Sequence, residues 1–104
     1  MILITRLEGF ALELRHLRYF AAVAEDLSFR RTARRLFVSE AALSQQIGDL
    51  EDELGLKLFN RNSRRVELTE VGHVFLVGAR RTLVSAQEAV VQAKAVTTDS
   101  PRPR

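Results

Sequence analysis

The stretch from Val38 to Leu54, VSEAALSQQIGDLEDEL, constrains the fold more than any other part of the chain. Ser39 is placed to cap a helix with its hydroxyl, and Leu43, Ile47, Leu50 and Leu54 follow at intervals of three and four, so one stripe of that helix must lie against other elements. Gly55 supplies the left-handed residue that ends it. Off the stripe, Glu40, Ala41, Ser44 and Gln45 in the first two turns are small or polar. The expected product is a helix buried along its back with a polar tip in the open.

Its neighbours repeat the pattern. Leu14, Leu17, Phe20, Ala21, Ala24 and Leu27 recur at helical spacing, which predicts a first helix with His16 and Arg18 on its other faces. Ser28 then caps a second helix whose inner face is Phe29, Thr32, Ala33, Leu36 and Phe37, with Ala33 small enough for a close crossing. That helix should end near Phe37, leaving Val38 as a short apolar hinge. Two capped helices separated by so little chain predict a helix-turn-helix.

After Gly55, the apolar anchors Leu56, Leu58 and Phe59, the turn-forming NRNSRR and the alternating Val66, Glu67 and Leu68 predict a short hairpin, or wing. Thr69 is a third cap, and the segment it opens would be roughly 40 Å long if helical throughout. Leu76, Ala79, Leu83, Ala86, Val90 and Ala93 form a heptad seam on it, which predicts a homodimer. The expected layout is a loosely ordered extension at 1–11, a mainly α winged helix-turn-helix of three helices and a hairpin at 12–68, a long dimerisation helix at 69–96, and a disordered tail at 97–104.

The net charge is only +3, from 16 Lys+Arg against 13 Asp+Glu, so bulk charge is a weak pointer to nucleic acid. Its distribution says more. Arg30, Arg31, Arg34 and Arg35 lie in one segment without acids, and Lys57, Arg61, Arg64 and Arg65 lie in another. Between them gather Asp49, Glu51, Asp52 and Glu53, which lack metal-ligand spacing and read as a solvated helix face. The chain has no cysteine, which removes disulfides and thiolate chemistry. Arg6 and Glu8 interrupt the apolar N-terminus, so neither a signal peptide nor a membrane span is expected, and a cytoplasmic location fits.

For an isolated helix pair, an ordinary solvated helix end is the better reading; the wing and the arginine segments reverse that preference. Double-stranded DNA is the expected partner. Ser39, Glu40, Ala41, Ser44 and Gln45 are the candidates to meet base edges in the major groove. Gln45 suits an adenine edge, Glu40 a cytosine amino group and Ala41 a thymine methyl, while Ser44 can serve either role. Ser28, Arg30, Arg31, Arg34 and Arg35, with Arg61, Arg64 and Arg65 of the wing, are the candidates for phosphate contact, one wing arginine entering the minor groove. No catalytic, metal or cofactor site is expected: His16 and His73 are far apart and there is no glycine-rich phosphate loop. His16 is expected at a helix surface or a dimer contact.

The run of LRHLRYF, the SF that opens the second helix, A-x-x-L-x-V-S leading into A-L-S-x-Q-I, then L-E-x-x-L-G, L-F-x-R and L-T-x-x-G resembles the N-terminal winged helix-turn-helix of LysR-type transcriptional regulators. The resemblance runs without a gap from about Leu12 to Leu76. It implies a cytoplasmic prokaryotic regulator that dimerises through paired linker helices and assembles further into tetramers. It also implies a separate effector-binding domain after the linker helix, which these 104 residues do not include, so no small-molecule effector is expected to bind here. Two departures from the family pattern stand out: Glu40-Ala41 where Gln-Pro is common, and Gln45 where Arg is frequent. Phosphates would repel Glu40 unless it meets a cytosine amino group or folds back onto Arg30, Arg31 or the helix N-terminus. A second function therefore stands beside the first: an interaction module that heterodimerises with full-length relatives and binds DNA weakly.

Overall fold

A computed structural model describes residues 12–62 and 64–99. The elements run α1 (Leu14–Asp26), α2 (Phe29–Leu36), α3 (Glu40–Leu54), β1 (Phe59–Arg61), β2 (Val66–Leu68) and α4 (Glu70–Asp99). The expected winged helix-turn-helix is present, and α4 continues three residues past the expected boundary at Val96. The extension expected at 1–11 and the last residues of the tail lie outside the described residues.

Side-chain and backbone caps set the boundaries. The Ser28 hydroxyl accepts from Arg31 N–H at 3.1 Å and Ser39 from Ala42 N–H at 2.9 Å, so each satisfies an amide that its helix leaves free. Thr69 does the same for α4 by accepting from Gly72 N–H at 2.9 Å, while its own O–H donates to the Lys57 carbonyl at 2.7 Å. Gly72 permits this arrangement, because a Cβ there would collide with the Leu58 carbonyl oxygen. Gly55 ends α3 in the left-handed region at φ 69°.

The core is a single cluster drawn from every element except β2. Leu17, Phe20 and Val23 of α1 meet Phe29 and Ala33 of α2, Leu43, Ile47 and Leu50 of α3, Leu58 and Phe59 at the wing's base, and Leu76 and Ala79 of α4. Phe20 stands at its centre, with ring centroids 5.4 Å from both Phe59 and Phe75 in tilted geometry. The wing is an antiparallel pair with Phe59 opposite Leu68 and Arg61 opposite Val66.

Several sequence expectations need correction. Leu14 and Leu27 are exposed, and Val23 takes the inward place on α1; Leu27 already lies in the left-handed region past the helix end, and Leu14 lines an open groove towards α4. Phe37 is 94% exposed, because α2 stops at Leu36 and the turn to φ 60° takes Phe37 off the apolar stripe. His16 is buried, its Nδ1 accepting from the Glu13 backbone N–H at 3.0 Å to cap α1. The expected seam also divides: Leu76 and Ala79 are buried in this chain's own core and Leu83 packs against it, while Ala86 is half-buried and Val90 and Ala93 are exposed.

Glu51, read from sequence as solvated, is only 4% exposed. It follows Ile47 by four residues and therefore sits on the buried stripe. Its Oε2 accepts from the backbone N–H groups of Leu58 at 2.7 Å and Phe59 at 3.2 Å, so one carboxylate ties the end of α3 to the start of the wing. Replacing it with alanine leaves two buried amides without an acceptor. Glu51→Ala should lower unfolding free energy by about 3 kcal/mol in urea titrations. Phe37→Asn should act in the opposite direction, raising it by about 1 kcal/mol, since asparagine tolerates the left-handed region and little burial is lost; an unchanged or lower midpoint would show that Phe37 contributes more than its exposure indicates.

Candidate nucleic-acid interface

The tip of α3, the start of α2 and the wing enclose an open cleft of about 510 Å³ whose lining includes Ser28, Arg30, Arg31, Glu40, Ser44, Arg61, Asn62, Arg64 and Arg65. Arg30 and Arg31 of one basic segment and Arg61, Arg64 and Arg65 of the other therefore face one space, whereas Arg34, Arg35 and Lys57 lie outside it. The N-terminal ends of α2 and α3 open beside it, adding backbone amides and the positive ends of two helix dipoles to the arginine charge. Such a cleft suits an extended anion.

The arginines fall into two groups. Arg35 grips α1: its Nε lies 3.1 Å and its Nη2 3.0 Å from Asp26 Oδ2, with Glu25 Oε1 at 3.5 Å. Arg31 Nη2 donates to the Asp26 carbonyl at 2.7 Å. Arg61 Nη1 donates to Ser44 Oγ at 2.8 Å, and its guanidinium stacks 4.3 Å over the Phe29 ring. Arg65 pairs with Glu67 at 3.2 Å, where both side chains are solvated and the pair adds little. Among the described residues, Arg30, Arg34 and Arg64 have no side-chain partner, so their charge is the most available to a ligand.

The base-reading candidates lie at the open end of α3, with Ser44 half-buried and Ser39, Glu40, Ala41 and Gln45 exposed; of these, Glu40 and Ser44 line the cleft. Glu40 does not fold back onto Arg30 or Arg31, although it lines the same cleft. Asn62, part of the turn-forming NRNSRR, shapes the wing tip: its Oδ1 accepts from the Arg64 and Arg65 backbone N–H groups, both at 2.8 Å. The asparagine before two arginines in NRNSRR was the available signal, since such residues fold back onto their own backbone.

Asp26 is the acceptor that holds α2 on α1. The Thr32 hydroxyl donates to its Oδ2 at 2.8 Å and pulls its pKa below the ordinary 3.8; partial burial opposes this, and the hydrogen bond and charge of Arg35 reinforce it. A carboxylate with a depressed folded-state pKa stabilises the fold above its unfolded value, and that contribution fades as pH falls through the folded value. Asp26→Asn should therefore lower stability at pH 6 and flatten its fall below about pH 4. Parallel wild-type and variant curves in pH-dependent urea unfolding would remove Asp26 from this role.

The family model of bacterial regulatory helix-turn-helix proteins of the lysR family matches residues 14–73, more than half of the chain. An uncharacterized HTH-type transcriptional regulator of Escherichia coli, YnfL, is 48% identical over 83 residues, covering 80% of this chain and 28% of that protein. AlsR of Bacillus subtilis is 48% identical over 79 residues, covering 76% and 26%. The chain thus spans under a third of the length of these relatives. Among solved structures, the DNA-binding domain of BenM in complex with catB site 1 DNA superposes with a TM-score of 0.82 at 41% identity, covering 86% of this chain and all of that one. The CbnR DNA-binding domain in complex with DNA gives 0.79 at 41% identity, covering 83% and 99%. By the match to more than half of its length, this chain belongs to the LysR family of bacterial regulatory helix-turn-helix proteins.

Proposed function

We propose that this chain binds double-stranded DNA with a sequence preference, with α3 in the major groove and the wing at the minor groove. It would act as the DNA-contacting part of a bacterial transcriptional regulator in the cytoplasm, as a homodimer. The observation that carries this reading is the single cleft that joins the open tip of α3 to five arginines and two helix N-termini. Its likeness to the BenM and CbnR domains, whose structures contain DNA, supports the same placement. No helix among the described residues is long and apolar enough to cross a membrane.

The pairing surface has its own support. Ala86, Val90 and Ala93 stay outside the head's core on a helix that outruns it, and Leu14, Arg18, Leu83, Ala86, Gln87 and Val90 line an open groove of about 410 Å³ beside α1. A second copy of α4 would cover that apolar surface.

Phosphate contact releases counterions, so affinity must fall with salt in proportion to the contacts made. Titrating a fluorescent duplex between about 50 and 200 mM salt should give a steep log–log slope. The triple variant Arg30→Ala, Arg34→Ala and Arg64→Ala should reduce its magnitude by about 5 for the homodimer, at about 0.9 for each of the six phosphate contacts that two protomers lose. A wild-type slope in the triple variant would show that these free guanidinium groups do not meet phosphate.

A further inference from the structure

The polar residues at the tip of α3 do not turn all of their hydrogen-bonding groups outward. The Ser39 hydroxyl oxygen is taken by Ala42 N–H at 2.9 Å. Ser44 Oγ already accepts from Arg61 at 2.8 Å, so it offers a ligand its own O–H and one remaining lone pair. Gln45 Nε2 lies 2.9 Å from Asp49 Oδ1, one turn further along the helix. An ionised carboxylate only accepts, so this contact fixes which end of the amide is nitrogen and leaves Gln45 Oε1 free to meet a partner. Glu40, in the first turn, has no partner among the described residues and is exposed. Two acceptors, a carboxylate and a held amide oxygen, therefore stand on this edge beside the Ser44 O–H and the second N–H of Gln45.

We propose that Glu40 and Gln45 make the reading edge of α3 selective for exocyclic amino groups in the major groove, and that Asp49 is a positioning residue that sets the preference of Gln45. This rests on the DNA-binding reading above and names the bases it would favour. Cytosine presents only its N4 amino donor in the major groove, so it is the base that suits a carboxylate. Adenine sets its N7 acceptor beside the amino group, and guanine and thymine oppose Glu40 with carbonyl oxygens. The Gln45 oxygen accepts from the amino group of either adenine or cytosine. Repulsion between Glu40 and phosphates weakens every site alike, so the discrimination appears only at the base that Glu40 meets.

Bound duplexes selected from a randomised pool by the full chain, and by its Glu40→Gln and Asp49→Ala variants, test this directly. Wild type should enrich cytosine at one position of its site and cytosine or adenine at a second, with roughly tenfold discrimination at each. Glu40→Gln can donate as well as accept, so it should admit other bases at the first position only and bind the pool more tightly. Asp49→Ala keeps a strong helix former and should relax the second position alone; uniform weakening across the site would reveal a merely structural role and overturn the assignment of Asp49. Guanine or thymine enriched at both wild-type positions, or variants that keep the wild-type preference, would overturn the proposal. A retained pool without bias at these positions overturns this inference alone, whereas a pool from which nothing is retained overturns DNA binding and the inference with it.

Discussion

The buried carboxylate of Glu51 is the interaction on which the geometry of the candidate interface depends. A carboxylate taken from water must find donors, and here two backbone amides at the base of the wing supply them. Lys57 and Arg61 approach its other oxygen at 3.8 and 4.0 Å without burying their own charge fully. One end of α3 is thereby fixed to the strand that carries Arg61. Because Arg61 in turn reaches Ser44 near the other end of α3 and stacks on Phe29 of α2, wing and helix-turn-helix hold a common position rather than swinging independently.

This internal bracing divides the basic residues by task. Arg31, Arg35 and Arg61 spend hydrogen bonds within the fold, on the Asp26 carbonyl, the Asp26 carboxylate and Ser44 respectively. Arg30, Arg34 and Arg64 remain free among the described residues, around a scaffold the other group has made rigid. Such a division suits recognition, since a surface ordered in advance loses less side-chain entropy on binding. Asp26 is central to it, accepting from Thr32 and Arg35 with its carboxylate and from Arg31 with its carbonyl.

Sequence periodicity failed at particular places for particular physical reasons. Phe37 and Leu27 were assigned inward because spacing was carried one residue past a helix end, where a left-handed backbone redirects the side chain. Charge alone places Glu51 outward, but it follows Ile47 by four residues on the buried stripe and is buried. His16 is expected at a helix surface or a dimer contact because a capping imidazole on a helix entry carries no sequence signal comparable to a serine or threonine cap. On α4 a single heptad rhythm runs over two consecutive surfaces: Leu76 and Ala79 complete this chain's own core, and Ala86, Val90 and Ala93 lie beyond it.

What the sequence by itself determined is the set of elements and their order. Three hydroxyl caps at Ser28, Ser39 and Thr69, a left-handed Gly55 and apolar stripes at helical spacing are local signals, and local backbone energetics are sufficient to realise them. The gathering of Ser39, Glu40, Ala41, Ser44 and Gln45 at one helix end was legible for the same reason. Only the tertiary structure decided which charged groups are free to act. Whether an arginine is held by Asp26, stacked on Phe29 or left to solvent depends on contacts between elements distant in sequence, and whether a carboxylate is buried depends on amides that arrive from another element. Hydrogen bonds of that kind have no period, so their pattern emerges only once the helices have packed.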